Sequence, residues 1–450
     1  MQSKSSILAQ SKAPARSAAV SDSPSSGMLC KTSKSMTAGG AVKCRFSHAT
    51  DLFWNPMSLL SARVQAIKPS PTLAVTAQAA KLKAEGKDVI SLGAGEPDFD
   101  TPQHIKDAAI AAINRGFTKY TAVGGIPTLK AAVIAKFKRD NRLHYDAAQI
   151  LVSVGGKQSI FNLCQAVVDV GDEVIIPAPY WVSYPDIALI CDGRPVVIEA
   201  GVDQGFRITP QQLEVAITPR TKLFFINSPS NPTGAVYSAD ELKALGAVLR
   251  RHPQVLIATD DMYEHIKLDD YDFVNIVNAC PDLYDRTIVL NGVSKAYSMT
   301  GWRIGYCGGP QAIISAMENI QSQSTSNPTS ISQVAAEAAL NGDQDCIAPM
   351  VKAFRERHDY VVGALNAMPG VKCLRAGGAF YAYPNVSAAY TGGIANSLQF
   401  AEKLLAEEFV AVVPGEAFGT NEHIRISYAT SMKELEKGLD RLAKFVAARV

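Results

Sequence analysis

Beyond about residue 58, short runs of β-branched residues alternate with longer stretches of helical periodicity, and this alternation constrains the fold more than any other feature of the chain. It is the pattern of a parallel sheet with crossover helices, so the expected class is α/β. Strands are expected at 150–154, 173–176, 195–199, 222–227, 255–259 and 287–290, with amphipathic helices between them at 158–168, 238–251 and 312–323. After about residue 345 the pattern changes to a long helix (347–367), shorter strands (379–383, 410–413, 423–428) and a closing helix (432–448). That change predicts a mostly parallel large domain over 103–345 and a smaller α+β domain over 346–450, to which an N-terminal arm and further small-domain residues, 54–102, are joined.

With 47% hydrophobic and 19% charged positions in 450 residues, the chain has enough apolar surface for a large core or two domains. The net charge of +2 gives no field that suggests a nucleic-acid or membrane-surface partner. No apolar run reaches the roughly 18 residues that span a bilayer. The eight cysteines form no C-x-x-C pair and the seven histidines no H-E-x-x-H, so reduced, mostly core thiols and no metal site are expected.

Residues 1–53 are a different material. Ser, Ala, Lys and Arg dominate, Asp22 is the only acid before residue 51, and bulky apolar residues are too sparse for a core. Such a basic, Ser-rich leader without a compact apolar stretch has the composition of an organelle transit peptide, with a merely disordered basic tail as the alternative. Plastid import is the first expectation and mitochondrial import the second.

In open α/β sheets, ligands sit beyond the carboxyl ends of the strands, and the chemically unusual residues cluster at those ends. The first strand runs into Gly155-Gly156-Lys157 and a helix, offering backbone N–H groups to a phosphate. A glycine turn made for packing is an equal alternative there, and the pattern is neither a Walker A loop nor G-x-G-x-x-G, which disfavours ATP and NAD. Strand 222–227 leads to a loop in which Pro229 and Pro232 aim the amide of Asn231 from a rigid turn. Strand 255–259 ends in Asp260 and Tyr263, a carboxylate and a phenol placed to meet a heteroaromatic ring. Strand 287–290 leads to Ser294-Lys295 and, eight positions on, to Arg303. A lysine in a stretch so short of other charge is a candidate nucleophile. Singly each of these has a plain structural reading; together they match the needs of pyridoxal phosphate.

The motifs SLGAGEPDF (91–99), KYT (119–121), GGKQ (155–158), PAPYWVSY (177–184), NSPSNPTG (227–234), Ser294-Lys295 through Gly301-Trp302-Arg303, and IRISYATS (424–431) resemble those of fold-type I, class I aminotransferases. Within them the chain is similar to the bacterial-type and plastid aspartate aminotransferase branch, some of whose members also transaminate prephenate. The resemblance implies pyridoxal 5′-phosphate as cofactor and small amino and keto acids as substrates. It also implies a role for each matching residue. Lys295 would hold the cofactor covalently and shuttle the Cα proton of the substrate. Asp260 would pair with the ring nitrogen, Tyr263 and Asn231 would hydrogen-bond the ring O3′, and Trp181 would stack on the ring. Gly155, Gly156, the Lys157 backbone, Ser294 and Arg303 would bind the phosphate, and Tyr120 would reach the phosphate of a neighbouring subunit, which implies a homodimer. Arg425 would grip the substrate α-carboxylate with help from Gly95 and Asn231, Trp181 would flank the substrate, and the Lys157 side chain would pair with a distal carboxylate. Thr72 and Lys68 match positions associated with accepting prephenate. The family's common Asp-Glu-x-Tyr reads Asp260-Asp261-Met262-Tyr263 here, a departure expected to have little effect.

The expected reaction is transamination between L-aspartate and 2-oxoglutarate. Rival readings are another specificity in the same family (alanine, aromatic, kynurenine or aminocyclopropane-carboxylate chemistry) and, in a different class, a non-enzymatic regulator built on this fold. The leader shows no helix-turn-helix periodicity of the kind a DNA-binding regulator needs.

Overall fold

In the computed structural model the described residues are 59–67 and 71–450, with the side chains of 71–74 excepted; the leader expected over 1–53 lies outside them. Among the described residues twelve strands, numbered in chain order, make three sheets. The large sheet contains β2 (Ile150–Ser153), β3 (Glu173–Ala178), β4 (Arg194–Glu199), β5 (Thr221–Asn227), β6 (Leu256–Asp260), β7 (Thr287–Gly292) and β8 (Gly305–Gly308), in the order β2-β8-β7-β6-β5-β3-β4. Every neighbouring pair is parallel except those of β8, which runs against both β7 and β2.

Successive side chains of a strand point to opposite faces, and the core divides accordingly. On β5, Leu223 and Phe225 join one buried cluster and Phe224 and Ile226 the other; on β2, Leu151 joins the first, Ile150 and Val152 the second. Helices cover both faces, which is why these strands read as continuous apolar runs. The helix Ala239–Arg250 shows the local logic. Ser238 accepts from the Glu241 amide and Glu241 reaches back to Ser238, closing its N-terminus, while Leu242, Leu245, Val248 and Leu249 turn inward.

Four of the six expected sheet strands, β3, β4, β5 and β7, extend by one or two residues at an end in the folded chain, β6 is shifted by one residue, and β2 ends one residue early at Ser153. The expectation omitted β8. Its four residues, Gly-Tyr-Cys-Gly, have little strand propensity, and long-range pairing to β7 and β2 makes them a strand. A glycine is needed at its start, because a Cβ on Gly305 would collide with the backbone of Gly155 and Gly156.

The smaller sheets join distant segments. β1 (Ile90–Ser91) pairs in parallel with β10 (Val410–Ala411), and β11 (Val413–Pro414) pairs with β12 (Ile424–Ser427), which in turn pairs with β9 (Tyr381–Ala382). The single strand expected at 410–413 is therefore two, because the chain changes partners at Val412. The Ser427 amide also donates to the Leu92 carbonyl at 2.7 Å, which brings residues 93–96 beside Arg425. The closing helix Met432–Ala447 packs through Leu435, Leu439, Leu442 and Phe445. The described cysteines are free, all buried but Cys346, which is half-buried. No described helix is long and apolar enough to cross a membrane.

Candidate functional site

Parallel strands that share a direction deliver their carboxyl ends to one edge of the sheet, and a cavity of about 570 Å³ opens there. Its lining gathers Gly95, Gly156, Lys157, Trp181, Asn231, Asp260, Tyr263, Ser294, Lys295, Arg303 and Arg425. These come from segments as far apart in sequence as 95 and 425. A larger cavity of about 940 Å³ lies between 140–144 and 264–284, but it contains neither Lys295 nor Arg425.

β2 ends one residue before the Val154 linker, and Gly155 (φ +84°) then opens the helix Gly156–Val167. No other residue is suited to position 155, since a Cβ would strike the Arg303 guanidinium. Arg303 itself holds a left-handed backbone (φ +56°), and its Nη1 donates to the Thr300 carbonyl at 2.9 Å. A helix N-terminus, an arginine and the Ser294 hydroxyl thus converge. This donor set fits a phosphate.

β6 places Asp260 in register with Asn227 of β5. Asp260 is buried, and burial pushes its pKa up; the Tyr184 hydroxyl, donating to its Oδ2 at 2.5 Å, opposes that shift, as does the Met262 amide on Oδ1. A desolvated carboxylate with one oxygen held by a phenol fits a protonated ring nitrogen. Asn227 bridges two strand ends, donating to the Asp260 carbonyl at 2.9 Å and accepting from the Asn231 amide at 2.8 Å. Tyr263 meets Tyr381 hydroxyl to hydroxyl at 2.9 Å. Asp261 turns away from the cavity and accepts from Thr259 at 2.6 Å and Asn275 at 2.8 Å, so the departure noted in the sequence lies outside the lining.

Lys295 follows β7, with its ammonium donating to the Gly95 carbonyl. Burial and, after it, the charge of Arg425 lower its pKa to about 8. Burial likewise lowers Lys157, whose Nζ sits 5.1 Å from the centre of the Trp181 ring. Arg425, on β12, donates to Asn231 Oδ1 and to the Gly93 carbonyl, each at 2.9 Å, while its buried Nε has no partner. Its guanidinium lies 4.5 Å from the Tyr381 ring centre, and no carboxylate pairs with it among the described residues.

Tyr120 is apart from this group, 92% exposed at the surface. Lys68 and the side chain of Thr72 lie outside the described residues; Thr76, one helical turn beyond Thr72, does line the cavity. Sequence reasoning passed over Tyr184, Asn227, Tyr381 and Glu96. Tyr184 and Asn227 stood inside motifs and gave a signal; Tyr381 gave none, because only the β9–β12 pairing brings it beside Arg425. Elsewhere, Asp140, Glu264 and His265 approach within 4.8 Å of one another, but the buried Lys136 ammonium already pairs with Glu264 there.

The profile of the family "Aminotransferase class I and II" matches residues 87–442. The chain is 64% identical over 395 residues to an aspartate/prephenate aminotransferase of Nitrosomonas europaea, covering 86% of this chain and 100% of that one. A protein of the same name from Cereibacter sphaeroides is 55% identical, with coverages of 87% and 99%. Among solved structures, the aspartate aminotransferase from Rhizobium meliloti superposes with a TM-score of 0.83 at 50% identity, covering 86% of this chain and 98% of that one. That of Thermus thermophilus with maleate gives 0.82 at 43% identity, with coverages of 86% and 100%. These relatives are bacterial, and bacteria have neither plastids nor mitochondria. The finding overturns the expectation of plastid import together with its mitochondrial second choice.

Proposed function

Because the chain belongs to the class I and II aminotransferases and is a transaminase dependent on pyridoxal phosphate, we propose that it exchanges the amino group between L-aspartate and 2-oxoglutarate, giving oxaloacetate and L-glutamate. The observation that carries this reading is the cation census of the cavity. Arg303 belongs with the phosphate and Lys295 with the covalent chemistry, which leaves Arg425 and Lys157 for two substrate carboxylates.

When bound, the cofactor supplies an electron sink for the charge left on Cα. The chain supplies the rest. Gly155, Gly156, the Lys157 backbone, Ser294 and Arg303 grip the phosphate, and Trp181 covers the ring. Asp260, kept ionised with the help of Tyr184, holds a proton on the ring nitrogen. Tyr263 and Asn231 hold O3′. Arg425 takes the α-carboxylate, offering its unpartnered Nε, with Gly95 and Asn231 completing the pocket. Lys295 Nζ, a base once neutral, removes and returns the Cα proton. Exposed Tyr120, together with the exposed Ile110 and Ile113 of the helix Gln103–Asn114, supports a homodimer in which it completes the partner's phosphate site. Within the compact unit Leu59–Val450 we infer a large cofactor-binding domain over 103–345 and a smaller one built from 346–450 and those described residues of 54–102 that fall in that unit.

A pH test follows from Lys295. Only the neutral amine attacks the cofactor aldehyde, so capture by the apoprotein should climb through about pH 8 and level off above it, following the lowered pKa. A rise centred near the ordinary lysine value of 10.5 would place another lysine there. Stopped-flow absorbance reads this directly.

Lys157→Ala separates dicarboxylates from monoacids. Loss of a charge-assisted contact made only by the distal carboxylate is expected to lower kcat/KM for aspartate by about 2 kcal/mol, near 30-fold, with little change for alanine. Equal losses for both donors would remove Lys157 from the distal subsite. The name of the Nitrosomonas relative favours prephenate as a second acceptor, whose ring carboxylate Lys157 serves in the same way while Thr72 and Lys68 act beside it. Arogenate should appear by mass spectrometry when prephenate is supplied with aspartate or glutamate. Its absence, from a protein active on 2-oxoglutarate, leaves a dicarboxylate-only transaminase.

A further inference from the structure

Among the described residues, two carboxylates line the site cavity, Asp260 and Glu96, against four cations. Asp260 is committed to Tyr184 and the Met262 amide at the buried end. Glu96 is exposed at the cavity wall, and the mechanism above makes no use of it. Its Oε2 accepts from the Thr300 hydroxyl at 2.7 Å, and its Oε1 has no hydrogen-bond partner among the described residues. The preceding residue, Gly95, holds the Lys295 ammonium on its carbonyl, and the Glu96 carboxylate shares the cavity lining with that nitrogen, forming no direct ion pair with it but lying within reach of its charge.

The two substrates differ at that point. Aspartate and 2-oxoglutarate both carry two carboxylates, and the four cations attract either one. Aspartate alone brings an ammonium at its α-carbon, and its nitrogen arrives where the lysine nitrogen was. An anion close to that position lowers the energy of the amino donor and raises that of the keto acid. We propose that Glu96 is a specificity residue that favours the amino donor over the keto acceptor by receiving the donor's α-ammonium. The proposal rests on the aspartate/2-oxoglutarate reading above. In support, Glu96 already acts on a cation at this place, working to raise the pKa of Lys295 against the lowering by burial and Arg425.

Half-reactions of the cofactor-loaded protein test it, each followed as a single turnover by cofactor absorbance. Glu96→Gln is expected to raise the apparent Kd for aspartate roughly 5-fold, the upper range for a solvent-accessible ion pair, and to leave that for 2-oxoglutarate unchanged or lowered. Succinate, a dicarboxylate without an ammonium, should bind Glu96→Gln at least as tightly as wild type. Thr300→Val removes the clasp and keeps the charge, so its donor-to-acceptor ratio should stay at the wild-type value. The proposal is overturned by unchanged aspartate binding in Glu96→Gln, by equal losses in both half-reactions, by weaker succinate binding, or by a Thr300→Val ratio that shifts as far as that of Glu96→Gln. A wild-type protein with no aspartate half-reaction overturns the proposed function itself, and this inference with it.

Discussion

Lys295→Ala is expected to abolish turnover, with a fall in kcat on the order of 10⁵-fold or more, as when a covalent nucleophile is removed from a site whose parts act as a unit. Two tasks are lost together, the covalent hold and the proton shuttle. Among the described residues no other lysine is placed to take over: Lys157 is the one other lysine in the cavity lining, and its Nζ is turned to the Trp181 face. Cofactor binding should weaken without vanishing, because the proposed phosphate cradle of Gly155, Gly156, Ser294 and Arg303 does not involve the Lys295 side chain. Equilibrium dialysis should therefore still show bound pyridoxal phosphate, while borohydride should fix none of it to the chain. Persistent turnover, with borohydride fixing the cofactor to another lysine, would move the reactive centre.

Arg425→Ala should weaken every amino-acid substrate by a similar amount, about 2 to 5 kcal/mol in kcat/KM. The reason lies in how the cation is kept. Arg425 is 5% exposed, accompanied by the Tyr381 and Phe418 rings and two neutral oxygens, with no carboxylate to balance it among the described residues. A buried, unbalanced guanidinium is costly to the free protein, and a carboxylate ligand relieves that cost. Since all amino acids carry the α-carboxylate, aspartate and alanine should suffer alike, and a loss confined to aspartate would place the α-carboxylate elsewhere. A second effect has a definite sign. Arg425 is one of the charges that depress the Lys295 pKa, so removing it should move the pH rise of cofactor capture above about 8.

Much of this site was legible before any coordinates because its residues are carried by strand ends and rigid turns. Asp260 closes β6, Lys295 lies three residues after β7, and Asn231 lies four after β5, so a correct reading of the strands already placed them at one edge. What the pattern concealed depends on pairings between distant segments. β8 is a strand through its two neighbours and not through its own residues. Tyr381 reaches Tyr263 and Arg425 through β9, a two-residue strand with no periodicity to read. Tyr184 was visible as part of a motif, but its hold on Asp260 depends on the helix Ser183–Ile190 packing against the sheet, where its ring stacks on Phe225 at 4.6 Å.

By itself the sequence determined the α/β class and placed a candidate lysine and its companion polar groups at the strand ends. These follow from local periodicity and turn chemistry, which act over a few residues and are written in order along the chain. The tertiary structure alone decided that residues 93–96 lie against Arg425, that burial and Arg425 lower the Lys295 pKa to about 8, and that Glu96 is the cavity's one carboxylate beside Asp260 among the described residues. Burial and electrostatic neighbourhood are sums over groups hundreds of positions apart, and no local pattern encodes such a sum.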